Sequence, residues 1–170
     1  MTNHVVLFEP EIYANSGNIA RTCAATNSVL HFIEPIGFDL NDSRFKRAAV
    51  NYFKNVEYKI HQSLPDFLET TNSDDQLLLV TKFAKQTYDK VEYTNSNIDY
   101  YFIFGKESTG LPEVFLQDNQ DKTIRIPQDD QKVNSLNVSN AVAIILYEAQ
   151  RQQNFNQLDV NFDYQNGKLK

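Results

Sequence analysis

Unbroken apolar runs recur between segments of helical pattern, and this alternation restricts the possible folds more than any other feature. Residues 77–81 and 100–104 are apolar almost throughout, as strands covered on both faces are, whereas a strand with one wet face alternates. Runs at 5–8 and 29–33 read as strands too, with further candidates at 56–60 and 124–127. Between them lie helical patterns at 18–26 and 43–50, a helix started by Ser63 with Pro65 and Asp66 behind it, and a short helix opened by Pro112. Val138, Ala141, Val142, Ile145, Leu146 and Ala149 recur at intervals of three and four, which puts one apolar stripe on a long helix beginning near Ser135. This order predicts an α/β fold, a mainly parallel sheet flanked by helices. One domain is expected over residues 1–153, followed by a polar tail over 154–170. Ligands of such sheets sit in the loops that follow the strands.

At 170 residues and 41% apolar content, the chain can bury a core of its own. Its single cysteine, Cys23, excludes an internal disulfide and suits a reducing compartment. No apolar run reaches the roughly 20 residues of a membrane span. The start, Met1-Thr2-Asn3-His4, lacks the basic region and apolar core of a signal peptide. A soluble cytoplasmic protein is expected. The net charge of −6 argues mildly against a polyanion ligand. Yet Arg44, Lys46, Arg47, Lys54 and Lys59 fall within one stretch with few acids. That stretch is either a local basic face or an ordinary solvated helix face.

Three loops after strands are unusual. In Glu9 to Arg21, the residues Asn15, Ser16 and Gly17 are all plausible helix starters, so capping explains much of the segment. Arg21 would then lie one turn into the helix, as a surface residue or a functional one. In Gly105-Lys106-Glu107-Ser108-Thr109-Gly110, two glycines flank a carboxylate behind a buried strand, which admits either close approach to a ligand or a structural turn. The spacing fits neither a P-loop nor a dinucleotide fingerprint. In the third loop, Ser135, Asn137, Ser139 and Asn140 crowd the start of the long helix; one cap is needed and four candidates are present. Cys23, His4, His31 and His61 lack the close spacings of a zinc site, so no metal is expected. Cys23, among Ala20, Ala24 and Ala25, reads as a small core residue.

Taken in order, these loops resemble the SPOUT superfamily of knotted RNA methyltransferases, in particular the small tRNA (cytidine/uridine) 2′-O-methyltransferases that act on the wobble nucleotide. The matching segments are Glu9 to Ile12, Asn15 to Ala24, His31 to Phe38, Phe104 to Pro112, Ile124 to Pro127, Ser135 to Val142, and Tyr147 to Ala149. The resemblance implies a C-terminal deep trefoil knot, a homodimer whose site borrows from both subunits, and S-adenosylmethionine as co-substrate. The cofactor would be held at loops matching Val80, Thr81, Gly105, Ile126, Ser135 and Leu136. Arg21 corresponds to the catalytic arginine. Asn15, Glu107, Ser135 and Asn137 match positions that orient this arginine, the substrate or the cofactor. Arg44, Lys46 and Arg47 match a basic segment that meets RNA phosphates, here the anticodon stem-loop of tRNA.

The chain departs from the pattern at Thr109 and at Asn134, where many relatives carry arginine. These departures leave open a dimer of the same fold that binds RNA without turnover, or that takes another RNA. An unrelated α/β small-molecule enzyme is the third reading.

Overall fold

A computed structural model describes residues 1–156 and 158–161. The sheet is built from β1 (Asn3–Phe8), β2 (Val29–Ile33), β3 (Tyr58–His61), β4 (Gln76–Val80), β5 (Gln86–Thr87), β6 (Tyr100–Phe104) and β7 (Thr123–Arg125). The helices are α1 (Tyr13–Thr26), α2 (Ser43–Ala48), α3 (Leu64–Leu68), α4 (Glu113–Asp118) and α5 (Val138–Gln152). Strand order is β3-β2-β1-β6-β4-β7-β5, with every pairing parallel. Every residue of β1, β2 and β6 is buried, because helices cover both faces of the sheet. The chain lays β2 and β3 to one side of β1 and the remaining strands to the other. The order therefore reverses between β1 and β6, where loops diverge and leave a crevice.

On one face, α5 packs its stripe (Ala141, Val142, Ile145, Leu146, Ala149) with Ile19, Ala20 and Cys23 of α1 against the sheet. The stripe belongs to the chain's own core, while Ile144 and Tyr147 of the same helix remain exposed. Burial raises the Cys23 thiol far above its usual range, so it packs as an inert small side chain. On the other face, Phe67 of α3 joins Val6, Ile33, Leu79 and Ile103. No helix among the described residues is long and apolar enough to cross a membrane. Backbone bonds from Phe155 to Gln150 and from Leu158 to Phe155 fold the chain back just after α5; residues 157 and 162–170 of the expected tail lie outside the described residues.

Three expectations need correction. Helix α1 begins at Tyr13 rather than at residue 18, so Asn15, Ser16 and Gly17 lie inside it and none of them caps it. Gly17 is there because α2 crosses close by; a Cβ would stand 2.5 Å from the Cβ of Ala48. The segment after Ala48 tightens into a 3-10 turn, Val50–Asn55, and β3 starts at Tyr58 rather than at residue 56. The two-residue strand β5 was not anticipated, being too short for any periodicity to register.

The sheet also gathers the histidines that sequence spacing keeps apart. His4 Nδ1 lies 2.8 Å from His31 Nε2, and His31 Nδ1 lies 2.9 Å from His61 Nε2, across β1, β2 and β3. At 3.5 Å, Asp99 Oδ2 is an electrostatic neighbour of His4 Nε2 rather than a close hydrogen-bond partner. A carboxylate there still favours an N–H over a lone pair. That choice sets each ring in turn: His61 Nε2 donates to His31, and His31 Nε2 donates to His4. Burial lowers all three pKa values, that of His31 to about 3, against the opposing pull of Asp99 on His4 and Asp66 on His61. The folded chain thus holds these rings neutral while the unfolded chain protonates them below about pH 6.5, so stability is lost as pH falls through that range. His31 alone accounts for about 2 kcal/mol by about pH 5. Urea unfolding at about pH 7.5 and pH 5 measures this, in a window above most carboxylate titration. Equal midpoints at the two values would contradict the neutral chain of rings.

Candidate active site

The crevice is assembled by the loops that follow β1, β4, β6 and β7. The loops after β1 and β6 are clasped three times. Lys106 Nζ donates to Glu9 Oε2 at 2.9 Å. Glu11 accepts from the Ser108 amide at 2.8 Å and from its hydroxyl at 2.9 Å. Glu107 returns the arrangement, accepting the amides of Glu11 at 2.9 Å and Ile12 at 3.3 Å. Those amides belong to Ile12, the N-cap residue of α1, which has no side-chain acceptor, and to Glu11 just before it. The acceptor comes instead from Glu107, almost a hundred residues away, where the positive end of the helix dipole favours a carboxylate. Hydrogen bonds from Ser108 hold the Glu11 carboxyl below its usual range, and Glu9 raises the Lys106 ammonium.

Asn15 extends this clasp to the third loop. Its Nδ2 donates to Glu107 Oε1 at 3.0 Å, and its Oδ1 accepts from Asn137 Nδ2 at 2.9 Å. Asn137 Oδ1 in turn accepts the amide and hydroxyl of Ser139 at 2.9 and 2.6 Å, which makes Asn137 the cap of α5. A carboxylate can only accept, so the orientation of each amide in the series follows from Glu107. The side chains of Asn15, Glu107 and Asn137 are thus fixed before any ligand arrives.

Beside this series lies a cavity of about 460 Å³, within the range of cofactor sites. All six positions expected to hold a cofactor line it: Val80, Thr81, Gly105, Ile126, Ser135 and Leu136. So do Asn15, Glu107 and Asn137. Arg21 does not. It lies on the exposed side of α1, its guanidinium 5.3 Å from the centre of the Tyr52 ring. Arg44, Lys46 and Arg47 are exposed on α2, also away from the cavity wall. Arg44 is bound to Asp42 at 2.7 Å and lies over the Tyr13 ring at 5.4 Å, and its hydrogen bonds lower the Asp42 carboxyl to about 2. Arg21 therefore groups with the basic segment, which includes exposed Lys54 and Lys59.

Of the two readings of the second loop's glycines, the contacts of Gly105 show a structural turn, one that also lines the cavity. A Cβ on Gly105 would lie 2.2 Å from the carbonyl carbon of Gly110, so the close approach is made by the loop's own backbone. Lys106 and Gly110 pair as an antiparallel bridge, and Gly110 adopts φ +76. Glu9, Glu11, Ser108, Lys82 and Phe83 were not singled out by sequence. The first three mark themselves only by partners in another loop, and the last two belong to the loop after β4, where no pattern stands out.

The model of the SpoU rRNA Methylase family matches residues 2–147. A protein of Lactococcus lactis subsp. cremoris, provisionally named a tRNA (cytidine(34)-2′-O)-methyltransferase, is 49% identical over 99% of both chains. A Bacillus subtilis protein with the same provisional name is 46% identical over 91% of this chain and 96% of its own. Among solved structures, one described as giving insight into 2-OH methylation of C/U34 on tRNA has a TM-score of 0.84 at 35% identity. It covers 91% of this chain and 98% of that one. The chain belongs to the SpoU methylase family.

Proposed function

We propose that this protein transfers a methyl group from S-adenosylmethionine to the ribose 2′-oxygen of the wobble nucleotide, number 34, of tRNA. The observation that carries the reading is the convergence of the six expected cofactor positions on one cavity, closed on one side by the series Glu107–Asn15–Asn137. Relatives close to half identical over the full chain and named for this reaction support it.

The residues present suit such a cofactor. Val80, Ile126, Leu136 and Leu111 supply apolar wall for a flat ring, while Thr81, Ser135 and Asn137 supply polar groups. When bound, the cofactor supplies a methyl already activated on a sulfonium. The chain must then align the ribose oxygen with that methyl and favour loss of the hydroxyl proton. Asn15 and Glu107 hold the walls in register, and Ser135 and Asn137 fix the start of α5. Arg21 stabilises the oxyanion as it develops; a guanidinium stays protonated, so it acts through charge and position rather than as a base. Because Arg21 stands outside the cavity of its own chain, the arginine is taken to come from a second subunit of a homodimer, with exposed Ile144 and Tyr147 of α5 as candidate contacts. Arg44, Lys46 and Arg47 would meet phosphates of the anticodon stem-loop.

The same reading extends to a trefoil knot, supported by β7 lying between β4 and β5, so that the residue 81–85 connection must cross the later strand. One domain over residues 1–153 and a cytoplasmic setting, where tRNA is found, complete it.

Purified protein incubated with tritiated S-adenosylmethionine and tRNA is expected to label a single ribose, and nucleoside mass spectrometry after mapping is expected to place it at nucleotide 34. Saturable tRNA binding without transfer would support the rival, an RNA-binding dimer without turnover, which the uncharged Thr109 and Asn134 favour.

A further inference from the structure

The cavity mouth carries a pair of side chains with no part in the series that shapes its wall. Phe83 lines the mouth yet is 76% exposed, the most exposed of the large apolar side chains among the described residues. It is held outward by a turn: its amide reaches Thr81 Oγ1 at 3.4 Å, and the next residue, Ala84, is buried. Lys82 lies over the Phe83 ring, 5.1 Å from its centre, and its ammonium donates to Asn134 Oδ1 across the mouth. No carboxylate forms an ion pair with Lys82 among the described residues. Asp130 is close enough to feel its charge but is bonded to Arg125.

Charge decides what this pair can serve. The cations lining the cavity are Lys82 and Lys106, and Lys106 is held by Glu9. On a chain of net charge −6, a polyanion brought to the mouth has Lys82 as its available cation there. An exposed aromatic face beside a cation is the combination that unpaired RNA uses, with a base stacked on the ring and its phosphate on the charge. The apolar lining residues Phe104 and Leu111, both buried, and half-buried Val80 and Ile126 are left to the cofactor.

We infer that Lys82 and Phe83 form the substrate-side lip of the site, with an unpaired nucleobase stacked on Phe83 and the adjoining phosphodiester held by Lys82. This rests on the methyltransferase reading above. The chain has no tryptophan, so Phe83→Trp installs a single tryptophan at the lip, which can be excited selectively over the nine tyrosines. Its emission is expected to be quenched saturably by an anticodon stem-loop RNA and left unchanged by S-adenosylmethionine alone. Phe83→Ala is expected to raise the KM for tRNA roughly tenfold, with kcat little altered, and Phe83→Tyr to restore it. Lys82→Gln should flatten the dependence of log affinity on log salt by about 0.7. Quenching by the cofactor alone, emission indifferent to RNA, or an unchanged KM in Phe83→Ala would each overturn the assignment. Absence of methyl transfer by the unaltered chain, with quenching by RNA intact, would instead remove the proposed reaction and leave the lip standing.

Discussion

Replacing Arg21 with alanine is expected to slow methyl transfer to tRNA by roughly 10²–10³-fold, the usual cost of losing one group that stabilises a developing oxyanion. Cofactor affinity and melting temperature should stay at the values of the unaltered chain. Both halves of this expectation follow from where Arg21 lies. The side chain is exposed, lies over the face of Tyr52, and does not line the cavity. Truncating it leaves no void in the core and exposes no buried polar group, which are the usual routes to large destabilisation. Arg21→Lys should fall between, since an ammonium keeps the charge but loses the planar fork that can hold two oxygens at once. Single-turnover transfer, calorimetric titration with S-adenosylmethionine and thermal melts separate these effects. Undiminished transfer in Arg21→Ala would remove the arginine from the mechanism.

Strands whose residues are all buried were readable because a short, unbroken apolar run between polar turns suits a covered strand better than a helix, which needs greater length. Both residues 29–33 and residues 100–104 were located to the residue. The stripe on α5 was equally plain, and the structure settles what periodicity alone could not, its burial against α1. What stayed hidden depends on partners far apart in the chain. Asn15 and Ser16 carry the chemistry of helix caps, yet both lie inside α1, whose entry is held by Glu107 through the Glu11 and Ile12 amides, and Asn15 bridges Glu107 to Asn137. Residues 150–153 are polar, but Gln150 and Gln153 are buried, Gln153 exchanging two hydrogen bonds with Asn3. Three histidines separated by about thirty residues become neighbours only once β1, β2 and β3 are laid side by side. For the site itself, the cofactor positions followed from family resemblance rather than from any local pattern, because the wall is gathered from four separate loops and its apolar residues look like ordinary strand ends.

Gly105→Ala is expected to destabilise the chain by about 3 kcal/mol and to weaken cofactor binding at least severalfold. The methyl would meet Gly110 C at 2.2 Å, Leu111 N at 2.3 Å and Gly110 Cα at 2.5 Å. All three are backbone atoms, so no side chain can turn aside, and the bend that carries Glu107 must open. That movement draws the carboxylate from the Glu11 and Ile12 amides and loosens Asn15 with it. For a domain of this length the melting temperature should drop by roughly 6–12 °C. Gly110 offers the contrasting case: its added Cβ would meet nothing within 4 Å, but φ is +76. Gly110→Ala should therefore cost only about 1–2 kcal/mol, and Gly110→Asn less, since asparagine tolerates left-handed backbone. Equal losses for the two alanine variants would deny that the bend at Gly105 is set by contact. The same variant bears on where the arginine acts. In mixed dimers of Gly105→Ala with Arg21→Ala, one intact cavity faces one intact arginine only if the two come from different chains. The mixture is then expected to exceed the average of the two variants, by up to roughly a quarter of full activity, whereas an arginine serving its own chain's cavity would give only that average.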